Sequence, residues 1–283
     1  MKSMLFLTDF SEAAFRAAEY GCELAGSLGV KRIVLYHAFQ PAFAGTPDAT
    51  AILSDDPQIY LERMESLGLL QDRLKPMVGK EVSFDMVADD TVLAGLAESV
   101  NKRSSKEGIG LIVMGASGKS GVEKFLLGST TTEVLKSAEC PTLIVPEDTV
   151  LGKGIKTIVF TSDLKEVGAI PMQPLYEFLD AMPGKLQVVN VEPEARDRYS
   201  LEREKAITGL HQLLDKYDPD FNYITGNDIV KDILNFSGKQ QSPLIIAVHQ
   251  KHGFIPGLFH KSVTKKLAYH SSIPLLSLPG INN

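Results

Sequence analysis

The stretch Ile109-Gly-Leu-Ile-Val-Met114-Gly115-Ala-Ser117-Gly118-Lys119-Ser-Gly-Val-Glu-Lys-Phe-Leu-Leu-Gly128-Ser129-Thr130 decides the fold. An apolar, β-branched run stops at a glycine, a Gly/Ser/Lys loop follows, and a second glycine precedes Ser129 and a helical pattern. Continuous apolar runs of this kind mark strands buried on both faces. Ser129 and Thr130 are helix N-cap residue types, so the loop is expected to end at unpaired N–H groups and the positive end of a helix dipole. Strand, glycine-rich loop and helix start together make a phosphate cradle, because glycine lets backbone N–H groups come close to an anion. The spacing is Gly115, two residues, Gly118, nine residues, Gly128, Ser129. A P-loop would need Gly-Lys-Ser/Thr after a four-residue gap, and a dinucleotide fingerprint would need Gly-x-Gly-x-x-Gly; neither is present. The plainer reading is that the glycines only shape a tight strand-to-helix crossover, and the phosphate reading is favoured over it.

Upstream of this stretch, strands alternate with helices. Met4–Thr8 reads as a buried strand, and Asp9-Phe-Ser-Glu-Ala opens a helix with Phe15, Ala18, Cys22 and Ala25 on one face, ended by Gly29. Asp9 thus stands at a strand's carboxyl end, where ligands collect in open α/β sheets. It either caps the helix, the local preference, or meets a nucleoside. Arg32–Ala38 is a second strand ending in His37, a lone histidine read as structural. Residues 39–54 form a long connection, and Asp56-Pro57 starts a helix whose buried face is Tyr60, Met64, Leu67 and Leu74. A third strand spans Val82–Ala88, and Asp89-Asp90 reads as the cap of a helix carrying Val92, Leu96 and Val100 inward. A helix ending near Ser137 and a fifth strand, Pro141–Val145, complete a βαβ series, which calls for a parallel sheet with helices on both faces.

After Pro146–Gly154 the order repeats. Leu5-Phe-Leu-Thr-Asp9 returns as Val159-Phe-Thr-Ser-Asp163, and Val34–Ala38 as Gln187–Val191. Phe84–Ala88 returns as Phe221–Thr225, Ile112–Gly115 as Ile246–His249, and Pro141–Val145 as Pro274–Leu278. Duplication accounts for this far better than chance. The expected fold is therefore α/β, two tandem doubly wound domains, residues 1–146 and 155–283, each with a five-stranded, mostly parallel sheet. On this alignment His249, Lys251 or His252, and Lys261 replace the three glycines, in a loop one residue shorter that contains Phe254–Phe259. The second domain is accordingly read as diverged, its motif degenerate. His249, His252 and His260 suggest a metal site, but no cysteine or acidic partner accompanies them, and an exposed polar loop is the preferred reading.

A formal net charge of −6 gives no electrostatic footprint for nucleic acid or an anionic membrane surface. Hydrophobic residues at 44% and charged residues at 23% are globular values. No apolar segment is long enough to span a bilayer, Met1-Lys-Ser runs straight into a strand, and a cytoplasmic location is expected. Cys22 and Cys140 form no Cys-x-x-Cys pair and read as buried thiols.

The first copy resembles the universal stress protein family from Thr8-Asp9-Phe-Ser-Glu through Gly115-x2-Gly118-x9-Gly128-Ser129 to Cys140-Pro-Thr-Leu-Ile-Val; the second resembles it in strand order and strand ends. The resemblance implies ATP lying across the carboxyl ends of the strands. It assigns Asp9 to the nucleoside, the Ala38 backbone to adenine, and Gly115, Ser117, Gly118, Lys119, Gly128, Ser129 and Thr130 to ribose and phosphates, with Met114 beside them. Asp89-Asp90 departs from the family, where many members have a glycine and the second copy has Gly226. A carboxylate there can repel phosphate or help hold an ion such as Mg or Mn through the phosphates. The resemblance also implies association through the fifth strand, here Thr142–Val145 with Leu275–Leu278 inside one chain as a pseudo-dimer, with further homo-oligomers left open.

The leading expectation is an ATP-binding stress or signalling protein with one competent site. No residue is visibly placed for catalysis, so turnover is at most slow hydrolysis or autophosphorylation involving Lys119 or Ser120. The alternative is a pseudo-dimeric scaffold that binds partner proteins without nucleotide. A nucleotidyl-transfer enzyme would need a His-x-x-His or Ser-Gly-Gly-x-Asp site in the first half, which is absent.

Overall fold

A computed structural model describes residues 1–39, 57–89, 93–116, 129–164, 167–192, 200–249 and 263–281. The first copy runs β1 (Ser3–Leu7), α1 (Glu12–Ala25), β2 (Arg32–Ala38), α2 (Pro57–Leu74), β3 (Ser83–Asp89), α3 (Leu93–Glu107), β4 (Leu111–Ala116), α4 (Ser129–Ser137) and β5 (Thr142–Pro146). The second runs β6 (Thr157–Thr161), α5 (Met172–Ala181), β7 (Lys185–Glu192), α6 (Leu201–Leu214), β8 (Asp220–Thr225), α7 (Ile229–Ser237), β9 (Pro243–His249), α8 (Val263–His270) and β10 (Leu275–Pro279).

All ten strands form one sheet in the order β3-β2-β1-β4-β5-β10-β9-β6-β7-β8. Pairing is parallel within each copy and antiparallel between β5 and β10. Leu143 lies opposite Leu276, its own counterpart, so a local twofold passes through that pair. Both leucines are fully buried. The join covers two edges that single copies would leave open to unwanted strand pairing.

Because the strands are apolar on both faces, each face packs helices. Met4, Phe6 and Leu35 meet α1 and α2 through Ala17 and Leu67, and the second copy does likewise with Phe160, Phe178 and Leu210. Leu5, Val34 and Ile112 meet α3 and α4 through Leu96 and Val134, and their counterparts meet α7 and α8 through Ile233 and Leu267. A fully buried leucine or phenylalanine contributes about 1.5–3 kcal/mol, so these two layers carry the stability. Cys22 and Cys140 are buried free thiols, each pushed up to about 12 by burial, and therefore weak nucleophiles at neutral pH.

Several expectations need correction. Tyr60 is 46% exposed and leaves the buried face of α2 to Leu67, Leu70 and Leu74, because α2 meets the sheet only along its later turns. The third strands align Asp85 with Asp220, each opposite an equivalent β2 or β7 position, Val34 or Gln187. Each aspartate also pairs a cation at the strand start, Arg32 or Lys185, at 2.5 Å. Asp89 thus matches Ile224, and Gly226 lies two positions beyond. The fourth strands align Ile112 with Ile245, since these face Leu5 and Val159. Gly115 consequently matches Val248, and His249 matches Ala116. The Asp56 cap, Asp90 and the connection from residue 40 lie outside the described residues.

Candidate functional site

In each copy the chain leaves the first strand for one edge and returns to the other side, so the crevice between β1 and β4, and that between β6 and β9, is a topological switch point. Ligands bind outside the carboxyl ends of the strands at such points. Gly115 is the penultimate residue of β4 there, and α4 begins at Ser129. Met114 is buried in the strand and Ala38 closes β2. Ser129 and Thr130 open α4, while Ser117, Gly118, Lys119 and Gly128 lie outside the described residues.

The glycine at 115 has a structural cause. A Cβ built there would stand 2.5 Å from the carbonyl carbon and oxygen of Ala13 and 2.8 Å from the Ala14 nitrogen. The first turn of α1 therefore rests directly on β4, and close helix-on-strand approach accounts for this glycine before any ligand does. In the second copy Val248 takes the place because residues 162–171 separate β6 from α5, where only residues 8–11 separate β1 from α1. The strand-to-helix clamp itself is common to both. The Thr131 hydroxyl donates to the Gly115 carbonyl at 3.1 Å, and the Thr264 hydroxyl donates to the Val248 carbonyl at 3.2 Å, each across sixteen residues. The two crossovers are thus equal in length, not one residue apart, and Lys251 and Lys261 fall at the places of Gly118 and Gly128.

Asp9 is not the helix cap. Ser11 Oγ accepts from the Ala14 N–H at 3.2 Å, whereas Asp9 Oδ1 accepts from the Ser11 N–H at 3.0 Å. Asp9 is exposed, and its Oδ2 makes no hydrogen bond among the described residues. The turn is held by Thr8 Oγ1, which accepts from the Phe10 N–H, with Phe10 at a φ of +64°. The second copy repeats it with Ser162 and Leu164, at a φ of +57°. Left-handed backbone costs a non-glycine residue roughly 1–2 kcal/mol, and burying these apolar side chains offsets it. Asp89 ends β3, and its Oδ2 accepts from the buried Tyr36 hydroxyl at 2.6 Å.

His37 is structural, as its sequence context suggests. Its Nδ1 lies 2.8 Å from the Thr8 carbonyl, which can only accept, so Nδ1 carries the proton. Burial lowers its pKa, and Arg63 adds to that against the opposing Thr8 carbonyl and Asp9 carboxylate. The imidazole is neutral near pH 7. Asn190 does the same work in the second copy, donating to the Ser162 carbonyl at 2.9 Å. There Glu192 and Arg203 form a nearly buried ion pair. Sequence reasoning missed Ser11, Thr131 and this carbonyl clamp; the matched pairs Thr131/Thr264 and His37/Asn190 were its available signal.

His249 is buried at the end of β9, and His252 and His260 lie outside the described residues. Among the described residues no group of three or more candidate ligands assembles to hold a metal ion. A groove of about 500 Å³ between α3 and α4, lined by Glu98, Asn101 and Glu133, lies on the flank by the carboxyl end of α4, away from the switch point.

The family model described as the universal stress protein family matches residues 1–146, just over half of the 283. The chain belongs to the universal stress protein family. A universal stress protein of Methanocaldococcus jannaschii is 28% identical over 145 residues, 51% of this chain and 81% of that protein. A second from the same organism is 26% identical over 157 residues, 51% of this chain and 94% of that protein. The crystal structure of a universal stress protein from Archaeoglobus fulgidus covers 98% of both chains with a TM-score of 0.74 at 18% identity, a likeness of fold. Each single-copy relative spans about half of this tandem universal stress protein. No described helix is long and apolar enough to cross a membrane.

Proposed function

We propose that this universal stress protein binds ATP through its first domain, residues 1–146, and acts in stress response or signalling through that occupancy. One observation supports this above the others. The Gly115-x2-Gly118-x9-Gly128-Ser129 spacing falls on the β4-to-α4 crossover at the switch point, while the second copy's crossover, equal in length, carries Val248, Lys251 and Lys261 at the glycine positions. Lysine side chains at 251 and 261 obstruct the close backbone approach that phosphate oxygens need, whereas the change at Val248 follows from where α5 begins. The first crevice suits the ligand in other ways. Asp9 Oδ2 is available to accept from a ribose hydroxyl, and the start of α4 offers first-turn N–H groups to anionic oxygens. Mg or Mn enters, in this reading, through the phosphates. The reading assigns binding and no catalytic residue.

Mass spectrometry of small molecules released from the denatured protein, with ATP titration of the full chain, tests it. One ATP per chain is expected, and Gly118→Val should abolish binding while leaving the circular dichroism spectrum unchanged. Retained affinity in folded Gly118→Val, or two equal sites per chain, refutes it.

A further inference from the structure

The two copies treat one arginine differently. Leu67, Leu70 and Leu74 of α2 correspond to Ile207, Leu210 and Leu214 of α6, at the same places before the helix end and packed on the same core. A short 3₁₀ turn follows each helix directly, starting at Lys75 and at Asp215. Arg63 of α2 therefore matches Arg203 of α6, and both are partly buried.

In the second copy the guanidinium is neutralised from within the chain. Arg203 Nη1 pairs with a carboxylate oxygen of Glu192, the last residue of β7, and both side chains are nearly buried. The place of Glu192 is taken by Phe39 in the first copy, because His37 and Asn190, each two residues earlier, reach the equivalent carbonyls of Thr8 and Ser162. Phe39 offers no carboxylate. Among the described residues Arg63 accordingly makes no ion pair and no hydrogen bond, and its Nε–H is buried without an acceptor. A buried N–H on a charged group is rarely left so, since its lost water is then not replaced.

Arg63 stands in the second turn of α2, which packs on β2 and β3 and runs back from their carboxyl ends. The His37 pKa is lowered first by burial and further by the Arg63 charge, which sets that guanidinium near the end of β2. Since β1 lies between β2 and β4, and strands are about 4.8 Å apart, this place is roughly 10 Å from the glycine-rich crossover.

We propose that Arg63 is an oxyanion-binding residue of the first copy, taking from a ligand the pair of oxygens that Glu192 supplies to Arg203 within the chain. A planar guanidinium suits two oxygens of one carboxylate or phosphate, held through Nε–H and an Nη–H together. Glu192 is the built-in occupant of the second copy and closes it to the same anion. The Arg63 site is separate from the crossover and holds whether or not ATP occupies the latter.

The test follows the Arg63 and Arg203 Nε–H signals of the full chain by heteronuclear NMR. Sodium acetate and sodium phosphate are titrated separately, against sodium chloride at matched ionic strength. The Arg63 signal should shift saturably with at least one oxyanion and beyond its response to chloride, and the stronger of the two shows whether the source is carboxylate or phosphate. Arg203 should respond to neither. Phe39→Glu, which copies the second copy, should abolish the Arg63 response, and Phe39→Gln, similar in shape but uncharged, should keep it. In Gly118→Val the response should persist. The comparison of Arg63 with Arg203 in the unaltered chain carries the test if the Phe39 variants do not fold. No saturable Arg63 shift, an equal response at Arg203, survival of the response in Phe39→Glu, its equal loss in Phe39→Gln, or its loss in Gly118→Val overturns the anion site. An unaltered chain that binds no ATP yet keeps the Arg63 response overturns the nucleotide reading alone.

Discussion

Replacing Gly115 by alanine sets the packing of α1 against the integrity of β4. The new Cβ would meet the Ala13 carbonyl group at 2.5 Å, and a comfortable carbon contact is about 3.5 Å, so the first turn of α1 must retreat by about 1 Å. No rotamer relieves this, because both partners are backbone. That turn also carries the Ser11 cap and ends the strained Phe10 turn, so displacement disturbs the cap as well. Overpacking of this kind costs up to about 3 kcal/mol, and the stiffer unfolded chain that alanine brings returns up to about 1 kcal/mol. A net loss of about 2 kcal/mol follows, a fall in Tm of roughly 4–8 °C. Urea denaturation followed by circular dichroism measures it. A loss below about 0.5 kcal/mol would show that α1 does not rest on β4 and would remove the explanation for Val248 being tolerated in the other copy.

Two further outcomes follow from the geometry. The pKa of His37 is lowered in the folded state, so the unfolded chain binds more protons below pH 6.5, and this group's contribution to stability falls as pH drops from there towards the folded value. His37→Asn, which copies Asn190, should flatten that acid limb of the stability–pH curve while preserving the bond to the Thr8 carbonyl; an unchanged limb would assign it to other groups. Proline at Leu275, which lies opposite Ile144 and whose N–H faces β5 because the Pro274 carbonyl accepts from the Ile245 N–H of β9, removes a ladder N–H beside the local twofold and should loosen the join. Thermal unfolding should then split into two transitions as the copies uncouple, and a single transition at the original midpoint would count against a structural join through β5 and β10.

The repeat, the βαβ order and the strand-to-helix crossover at Gly115 were legible in the sequence, because both-face burial writes a strand as an apolar run and turn chemistry marks its ends; the pairing of the two fifth strands came only from what the family resemblance implies. Buried thiols and a structural His37 were legible for similar local reasons. Register was not. Apolar runs such as Leu244–Val248 slide against Leu111–Gly115 without changing their pattern, and only strand neighbours fixed Ile112 opposite Leu5 and Ile245 opposite Val159. Capping was legible in kind but not in place, since Asp9 and Ser11 are both cap residue types and only backbone position assigned the α1 cap to Ser11. The sequence alone showed that the copies differ at the glycines. The tertiary structure decided that one glycine answers to a helix resting on it, because close approach depends on where α1 begins, and that is set four residues after β1 in one copy and ten after β6 in the other.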